Sequence, residues 1–292
     1  GMRFVSGLRV DANGVLWAAE KDAAPKRFSC WQTADGGFVR EFFGPTAYGA
    51  LGGAISPDDS STMVGSGCEW RLDAATGHAQ IVGVFHRGGM SNTRFGRGPT
   101  GRLYVAVAPG WFHGYSPVLI YERLAPGKYQ LRTRLEALAE KKNAEGHPEG
   151  KLTGVRVWAD ANDDEKEQPA ETQDYAVDLG GWMTGWYLRM NQDLTFAGTL
   201  YQMPVTGWTA CGAPLYDVTK ARRLPAPDDV TARGGMGAGR CAASADGQTV
   251  LYNGHYGVPH SDFRCYDIAS GKLLWTYPNN YVGVHGGHRA PP

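Results

Sequence analysis

Residues 160 to 171 read Asp-Ala-Asn-Asp-Asp-Glu-Lys-Glu-Gln-Pro-Ala-Glu, which places side-chain oxygens at positions 1, 3, 5 and 12 of the stretch. A hard cation such as Ca2+ takes about six to eight oxygen ligands and is well closed by a carboxylate that binds through both its atoms. On that chemistry Asp160, Asn162, Asp164, the backbone carbonyl of Lys166 and Glu171 surround one calcium ion. The bland alternative is a solvated acidic turn.

A second set of candidates is rich in histidine and aromatic residues. Four of the eight histidines, His255, His260, His285 and His288, fall near the end of the chain. Imidazole is the commonest ligand for transition metals and the usual general base near neutral pH. His255 and His285, each close to the end of an expected strand, form the candidate catalytic pair, with Glu20 as a carboxylate partner. Trp111, His113, Tyr115, Trp208, Tyr256, His260 and His288 are candidate ligand-binding residues, because flat aromatic faces stack on the C–H surfaces of sugar rings. The same aromatics could serve as packing, and the histidines as ordinary surface residues. Other motifs are weak. Gly234-Gly-Met-Gly237-Ala-Gly239 lacks the preceding strand and following helix of a dinucleotide site, and no GxSxG elbow anchors a hydrolase triad.

The elements that must position these residues are short strands. Of 292 residues, 41 are Gly, 14 Tyr and 9 Trp, and the runs between turns are rich in Val, Leu, Tyr and Trp, as in many-stranded all-β proteins. Polar turns recur at 11–14, 57–59, 99–101, 191–193 and 245–247, each followed by an apolar run. Outer hairpins answer them over 28–43, 70–85, 119–135, 215–224 and 263–277. The calcium-like loop, between strands at 155–158 and 175–177, takes the place of the outer turn in a sixth unit. A period of roughly 40 to 50 residues with four strands per unit predicts a β-propeller of about six, or seven, blades forming a single domain over residues 1–292, or an excerpt of a longer chain. A pair of β-sandwiches is the competing architecture. Residues 135–142, crowded with Ala, Leu, Glu and Lys, predict one short helix.

Propeller topology sorts the connections. Turns inside the inner and outer hairpins share one face, whereas links between inner and outer strands, and between blades, share the opposite face. The second set is long and carries Glu20, the aromatic residues and the histidines, which predicts a ligand face there.

Tyr266-Asp267-Ile-Ala-Ser270-Gly271-Lys272-Leu-Leu-Trp275 resembles the repeat of quinoprotein propellers, in which a tryptophan docks one blade on the next. Gly7-Leu8-Arg-Val10-Asp11-Ala-Asn-Gly14-Val-Leu16-Trp17 is similar to an NHL or gluconolactonase type of blade. The acidic loop resembles the EF-hand-like calcium loops inserted into extracellular bacterial proteins, although Glu165 stands where that pattern has Gly, Glu167 where it has an apolar residue, and no helices flank it. The resemblance implies the fold, a calcium ion and a buried Trp275. It does not imply a quinone, because the chain lacks the length and the repeated docking tryptophans.

Charge excludes other classes. With 29 basic and 29 acidic residues there is no electrostatic footprint for nucleic acid. No apolar run is long enough for membrane insertion. The Gly1-Met2 start reads as the scar of a cleaved tag, so an export signal would not be seen. Five cysteines without CxxC spacing decide neither compartment nor chemistry, and the oligomeric state stays open. The expected function is a calcium-stabilised periplasmic or secreted propeller whose partner is a small molecule or glycan of carbohydrate type. A metal-dependent lyase, lactonase or hydrolase using a transition metal at the histidines is the second reading, and a structural or protein-binding propeller the third.

Overall fold

Successive apolar runs pair antiparallel with one another, which builds up-and-down meanders. The structure, a computed structural model, describes residues 2, 5–20, 27–43, 53–86, 91–109, 116–144, 146, 148–177, 179, 189–198, 200–227, 240–244, 246–253 and 262–277. The first sheet contains β1 (Val5–Val10), β2 (Val15–Glu20), β3 (Arg27–Gln32) and β4 (Phe38–Phe43). The second contains β5 (Ala54–Ile55), β6 (Thr62–Gly65), β7 (Cys68–Asp73) and β8 (His78–Val84). Six strands make the third: β9 (Ser91–Arg97), β10 (Leu103–Pro109), β11 (Val118–Ala125), β12 (Lys128–Lys142), β13 (Pro148–Ala159) and β14 (Thr172–Tyr175). In the fourth unit β15 (Phe196–Ala197) pairs with β16 (Tyr201–Met203). There β17 (Gly207–Trp208) and β18 (Pro214–Leu215) form a hairpin of their own before β19 (Arg222–Arg223) returns to β16. The last meander is β20 (Arg240–Ala243), β21 (Thr249–Asn253), β22 (Phe263–Asp267) and β23 (Leu273–Tyr277). The architecture is all-β and of propeller type, its repeating unit a meander blade. Among the described residues the only helical pieces are two 3-10 turns, Pro169–Glu171 and Val218–Lys220.

Packing follows from the two-residue period of a strand. Along β9 to β11, Phe95, Val105, Val107, Leu119 and Tyr121 face one way and pack with Val64 of the second sheet. Tyr104, Ala106, Ala108, Val118 and Ile120 face the other way, onto Phe196, Tyr201, Met203 and Tyr216 of the fourth unit. Covered on both faces, β10 needs the continuous apolar run Leu-Tyr-Val-Ala-Val-Ala rather than an alternating one. Leu200 and Leu224 of the fourth unit in turn meet Val250, Tyr252 and Ile268 of the last meander. The first sheet is different, with Leu8, Val10, Phe28 and Phe42 exposed.

Several expectations are corrected. Residues 135–142 are strand, not helix: Leu135 pairs with Val157, Ala137 with Val155 and Lys141 with Glu149. Leu135 and Ala137 are buried on alternate positions while Glu136 stays half-exposed, so burial with period 2 overrides the helix propensity of the same residues. The acidic loop founds no unit of its own, because β13 and β14 extend the third sheet. No hairpin spans 215–224; β18 pairs with β17 and β19 with β16, with the Val218–Lys220 turn between them. Trp275 is 48% exposed, as is every residue of the edge strand β23 to a similar degree. The residues around it serve the β22–β23 turn instead, where Asp267 Oδ1 accepts from the Ser270 amide and hydroxyl and Gly271 adopts φ 70°.

Candidate metal centre and ligand face

Strand β13 ends at Ala159, and the next residue, Asp160, is fully buried. From there the loop folds around its own carboxylates and amides. Asp160 Oδ1 accepts from the Asp163 amide at 2.8 Å, Asn162 Oδ1 from the Asp164 amide at 3.2 Å, and Asp164 Oδ1 from the Lys166 amide at 2.9 Å. Each bond turns a side-chain oxygen inward, as short polar residues do in Asx turns. Two residues take the left-handed conformation to make this possible, Asp163 at φ 68° and Glu165 at φ 57°. The position where a glycine was expected therefore has the glycine-like backbone, adopted here by Glu165, whose carboxylate accepts from the Leu131 amide at 3.2 Å. The Pro169–Glu171 turn then returns Glu171 to the loop's base, where Oε1 accepts from the Ala161 amide at 2.9 Å and Oε2 from the Trp158 indole N–H at 3.2 Å.

The outcome is convergence: carboxylate oxygens of Asp160, Asp164 and Glu171 all lie within 4.8 Å of one another. Ligands at about 2.3 to 2.6 Å from one Ca2+ stand at most about 5 Å apart, so the three oxygens fit one coordination shell. Asn162 and Lys166 are held beside them by the turn bonds to Asp164. Glu167 points away, to Arg134 at 3.2 Å.

A second grouping, Asp160, Asp163 and Cys211, is equally close but already has a cation. The buried Arg132 guanidinium sits 3.1 Å from Asp160 Oδ2 and 2.5 Å from Asp163 Oδ1, with Glu122 Oε2 at 2.8 Å on its other side. Hydrogen bonding to Arg132 holds the Asp163 carboxyl below the usual carboxylate range. The Asp164 and Glu171 carboxylates have no such guanidinium among the described residues, and Asp160 is the one member of their grouping that Arg132 also contacts. The fourth unit braces the site from behind: the Asp160 carbonyl accepts from the Thr209 hydroxyl at 2.9 Å and from the Cys211 thiol at 3.0 Å. Sequence reasoning missed Arg132, Thr209 and Cys211; only Asp163 had a legible signal, as an Asp in a tight polar turn.

Of the remaining candidates, the described residues include Glu20 and Trp208, which lie in different sheets. Glu20 is buried in the first sheet, accepting from Arg27 Nη1 at 3.0 Å and Ser29 Oγ at 2.9 Å. Trp208 is half-buried, its ring 5.5 Å from that of Tyr104 and close against Gly98 of the β9–β10 turn. His255, His285, Trp111, His113, Tyr115, Tyr256, His260 and His288 lie outside the described residues. The strands that flank these segments do define faces. The turns at Gly14, Gly77 and Gly127 lie at one end of their meanders, and the metal loop leaves β13 at that end, whereas the Ser66–Gly67 turn between β6 and β7 lies at the other. Segments 21–26, 110–117 and 254–261 connect strands at the opposite end.

No protein-family profile matches the chain, and no curated protein matches it. Among solved structures it is similar to the periplasmic gluconolactonase of Pseudomonas aeruginosa, with 16% identity and a TM-score of 0.43 over 88% of this chain and 79% of that one. The WD40 domain of Neurospora crassa Pan2 aligns with 9% identity and a TM-score of 0.32 over 86% of each chain. A protein from Lactobacillus plantarum aligns with 14% identity and a TM-score of 0.35, over 94% of this chain and 85% of that one.

Proposed function

We propose that the chain is a calcium-stabilised, extracytoplasmic propeller protein that binds a carbohydrate-type ligand on its loop-rich face. The observation that carries the reading is the convergence of Asp160, Asp164 and Glu171 within 4.8 Å, at the offsets a calcium loop requires. Arg132 beside Asp160 offsets part of the negative charge, which lowers the affinity for a cation toward the millimolar range of extracellular calcium modules, about 10⁻⁴ to 10⁻³ M. That is why the reading places the protein outside the cytoplasm. No helix among the described residues is long and apolar enough to cross a membrane. The ion is structural in this reading, because its loop and the long connecting segments leave the strands at opposite ends.

The test is calorimetric titration with Ca2+ of the protein and of Asp164→Asn/Glu171→Gln, followed by a glycan and lactone panel with and without calcium. Saturable one-site calcium binding lost in the double variant, with glycan affinity unchanged, supports the reading. Absence of calcium binding up to about 10 mM, an order of magnitude above the weakest extracellular modules, overturns it. Turnover of a lactone that depends on a transition metal would move the protein to the histidine-based enzyme class.

A further inference from the structure

Cross-strand partners share one face of a sheet, so the register of the first sheet sorts its side chains into rows. One row reads Arg9, Trp17, Cys30 and Arg40 across β1 to β4, and the next, two residues along each strand, reads Gly7, Ala19, Phe28 and Phe42. Phe28 and Phe42 are exposed and Trp17 is half-buried. The indole stacks on the Phe42 ring, with centroids 5.6 Å apart and planes at 6°.

A cavity of about 440 Å³ opens beside this pair, bordered by Gly7, Arg9, Asp11, Trp17, Ala19 and Phe28. Its size falls in the range of ligand pockets, about 300 to 1,000 Å³. Two small residues, paired across β1 and β2, leave the space open: a Cβ on Gly7 would meet Ala19 Cβ at 3.9 Å, an ordinary contact. The aromatic wall is held in place. Trp17 Nε1 donates to Asp11 Oδ2 at 3.0 Å, while Asp11 Oδ1 accepts from the Asn13 amide at 2.9 Å and the Val15 amide at 3.0 Å. With its N–H turned to Asp11 and one face against Phe42, the indole offers the cavity an apolar aromatic face.

Arg9 supplies the charge. Its guanidinium has no hydrogen bond or ion pair among the described residues, and the carboxylate on the cavity rim, Asp11, has both oxygens engaged by the three donors above. A planar guanidinium fork matches the paired oxygens of a carboxylate, and bonds of this type are about twice as strong as neutral ones. A flat wall, a floor of small residues and one free cation together call for a ligand with a flat apolar body and a single negative end.

We propose that this cavity on the first sheet binds a flat aromatic carboxylate, its ring against Trp17 and its carboxylate on Arg9. The cavity lies on a sheet face and not among the long connecting segments, so the inference stands apart from the carbohydrate reading. The probes are 2-naphthoate and its neutral isostere 2-naphthamide, each titrated calorimetrically into the parent, Arg9→Met, Arg40→Met and Gly7→Leu. The expected result is one-site binding of naphthoate, with the amide weaker by about tenfold or more for want of the charge-assisted bond. Arg9→Met should bring naphthoate down to the affinity of the amide. Arg40, in the same row but two strands beyond Trp17, is the control, and Arg40→Met should leave both affinities unchanged. Gly7→Leu should abolish binding of both by filling the cavity; Arg9→Met, a change at an exposed residue, carries the test if Gly7→Leu does not fold.

Naphthoate and amide bound equally in the parent would overturn the role of Arg9 and with it the proposal. Equal losses in Arg9→Met and Arg40→Met would make the attraction one of diffuse surface charge and overturn the site. No binding of either probe overturns it as well. Sedimentation of the same proteins separates the remaining occupant: a parent that dimerises and a monomeric Gly7→Leu would assign the cavity to a second copy of the chain, against the proposal.

Discussion

Glu69 of the second sheet and Arg123 of the third meet through two parallel hydrogen bonds, Arg123 Nε to Oε2 at 2.8 Å and Nη2 to Oε1 at 2.7 Å. The Tyr129 hydroxyl and the Gly127 amide complete the shell of the same buried carboxylate. Every contact crosses from one blade to the next, so the group joins two sheets whose facing side chains are largely apolar, with the Arg97–Asp58 ion pair and the His86–Tyr121 hydrogen bond elsewhere on the joint. Removing one partner of a buried ion pair strands the other and costs about 3 to 5 kcal/mol. Glu69→Ala should therefore lower stability by that order in a denaturant titration, while Glu69→Ala/Arg123→Ala should lose less than the sum of the single variants. Additivity of the two would refute the coupling.

The same carboxylate sets part of the acid response. Burial pushes the Glu69 pKa up, but the hydrogen bonds from Arg123, Tyr129 and Gly127 together outweigh burial and hold it below its ordinary value. A depressed folded-state pKa gives stability that is present above the unfolded value of about 4.3 and is lost as pH falls through the lower folded value. Stability should thus drop as the solution is acidified below that point, and Glu69→Gln should flatten the drop without abolishing it. Asp59, held down to about 2 by Ser61 and Thr62, and Asp174, held down by Arg156, contribute to the remainder. A parent and a Glu69→Gln variant with the same acid limb would contradict the assignment.

Backbone proximity at this joint gives a steric prediction. A Cβ on Gly83 of β8 would stand 2.4 Å from the Gly127 carbonyl oxygen and 2.6 Å from its Cα, both atoms of the main chain. Neither can rotate away, so Gly83→Ala must part the second and third sheets or strain them. Overpacking of this kind costs about 1 to 3 kcal/mol, and a backbone obstacle belongs at the upper end. Gly77, with a left-handed φ of 72° and nothing within 4 Å of its would-be Cβ, is the control. Its Ala variant should cost about 1 to 2 kcal/mol from conformation alone. The reverse order in thermal melts would show that the sheets separate freely there.

What could be read in advance divides along physical lines. Turn chemistry is local, so the tight turns at Asp11, Asp59, Gly101 and Gly127 were legible, and with them the meanders. Donor spacing is local too, and Asp160, Asp164 and Glu171 converge as their offsets imply. Strand identity at 135–142 was hidden because Ala, Leu, Glu and Lys favour helix, and only the partner strand β13 and burial of alternate residues decide otherwise. Trp275 misled for a related reason: its neighbours Asp267, Ser270 and Gly271 satisfy a turn, and turn residues say nothing about what covers the following strand. Arg132, a charge alternating with apolar residues, reads as a solvated face; its burial arises because Glu122 of the neighbouring strand β11 and Asp160 and Asp163 of the loop after β13 close over it.

Asp160 links the metal loop to the fourth unit, and the link can be followed chemically. Its carboxylate belongs to the calcium grouping, while its carbonyl takes hydrogen bonds from Thr209 and Cys211 of the β17–β18 hairpin. Cys211 is a free thiol, only half-buried, so a small opening of the hairpin exposes it to an alkylating reagent. If that opening also releases Asp160, calcium must leave first, and a ligand present at 100 times its dissociation constant suppresses such an opening by about 2.7 kcal/mol, close to a hundredfold. Alkylation of Cys211 by iodoacetamide should therefore slow markedly on adding Ca2+ and return to its basal rate in Asp164→Asn/Glu171→Gln. Thr209→Val, which removes one of the two bonds to the carbonyl, should speed alkylation with and without calcium. Labelling that is indifferent to calcium in the parent protein would mean that the hairpin opens while the loop stays closed, and that Asp160 does not couple them.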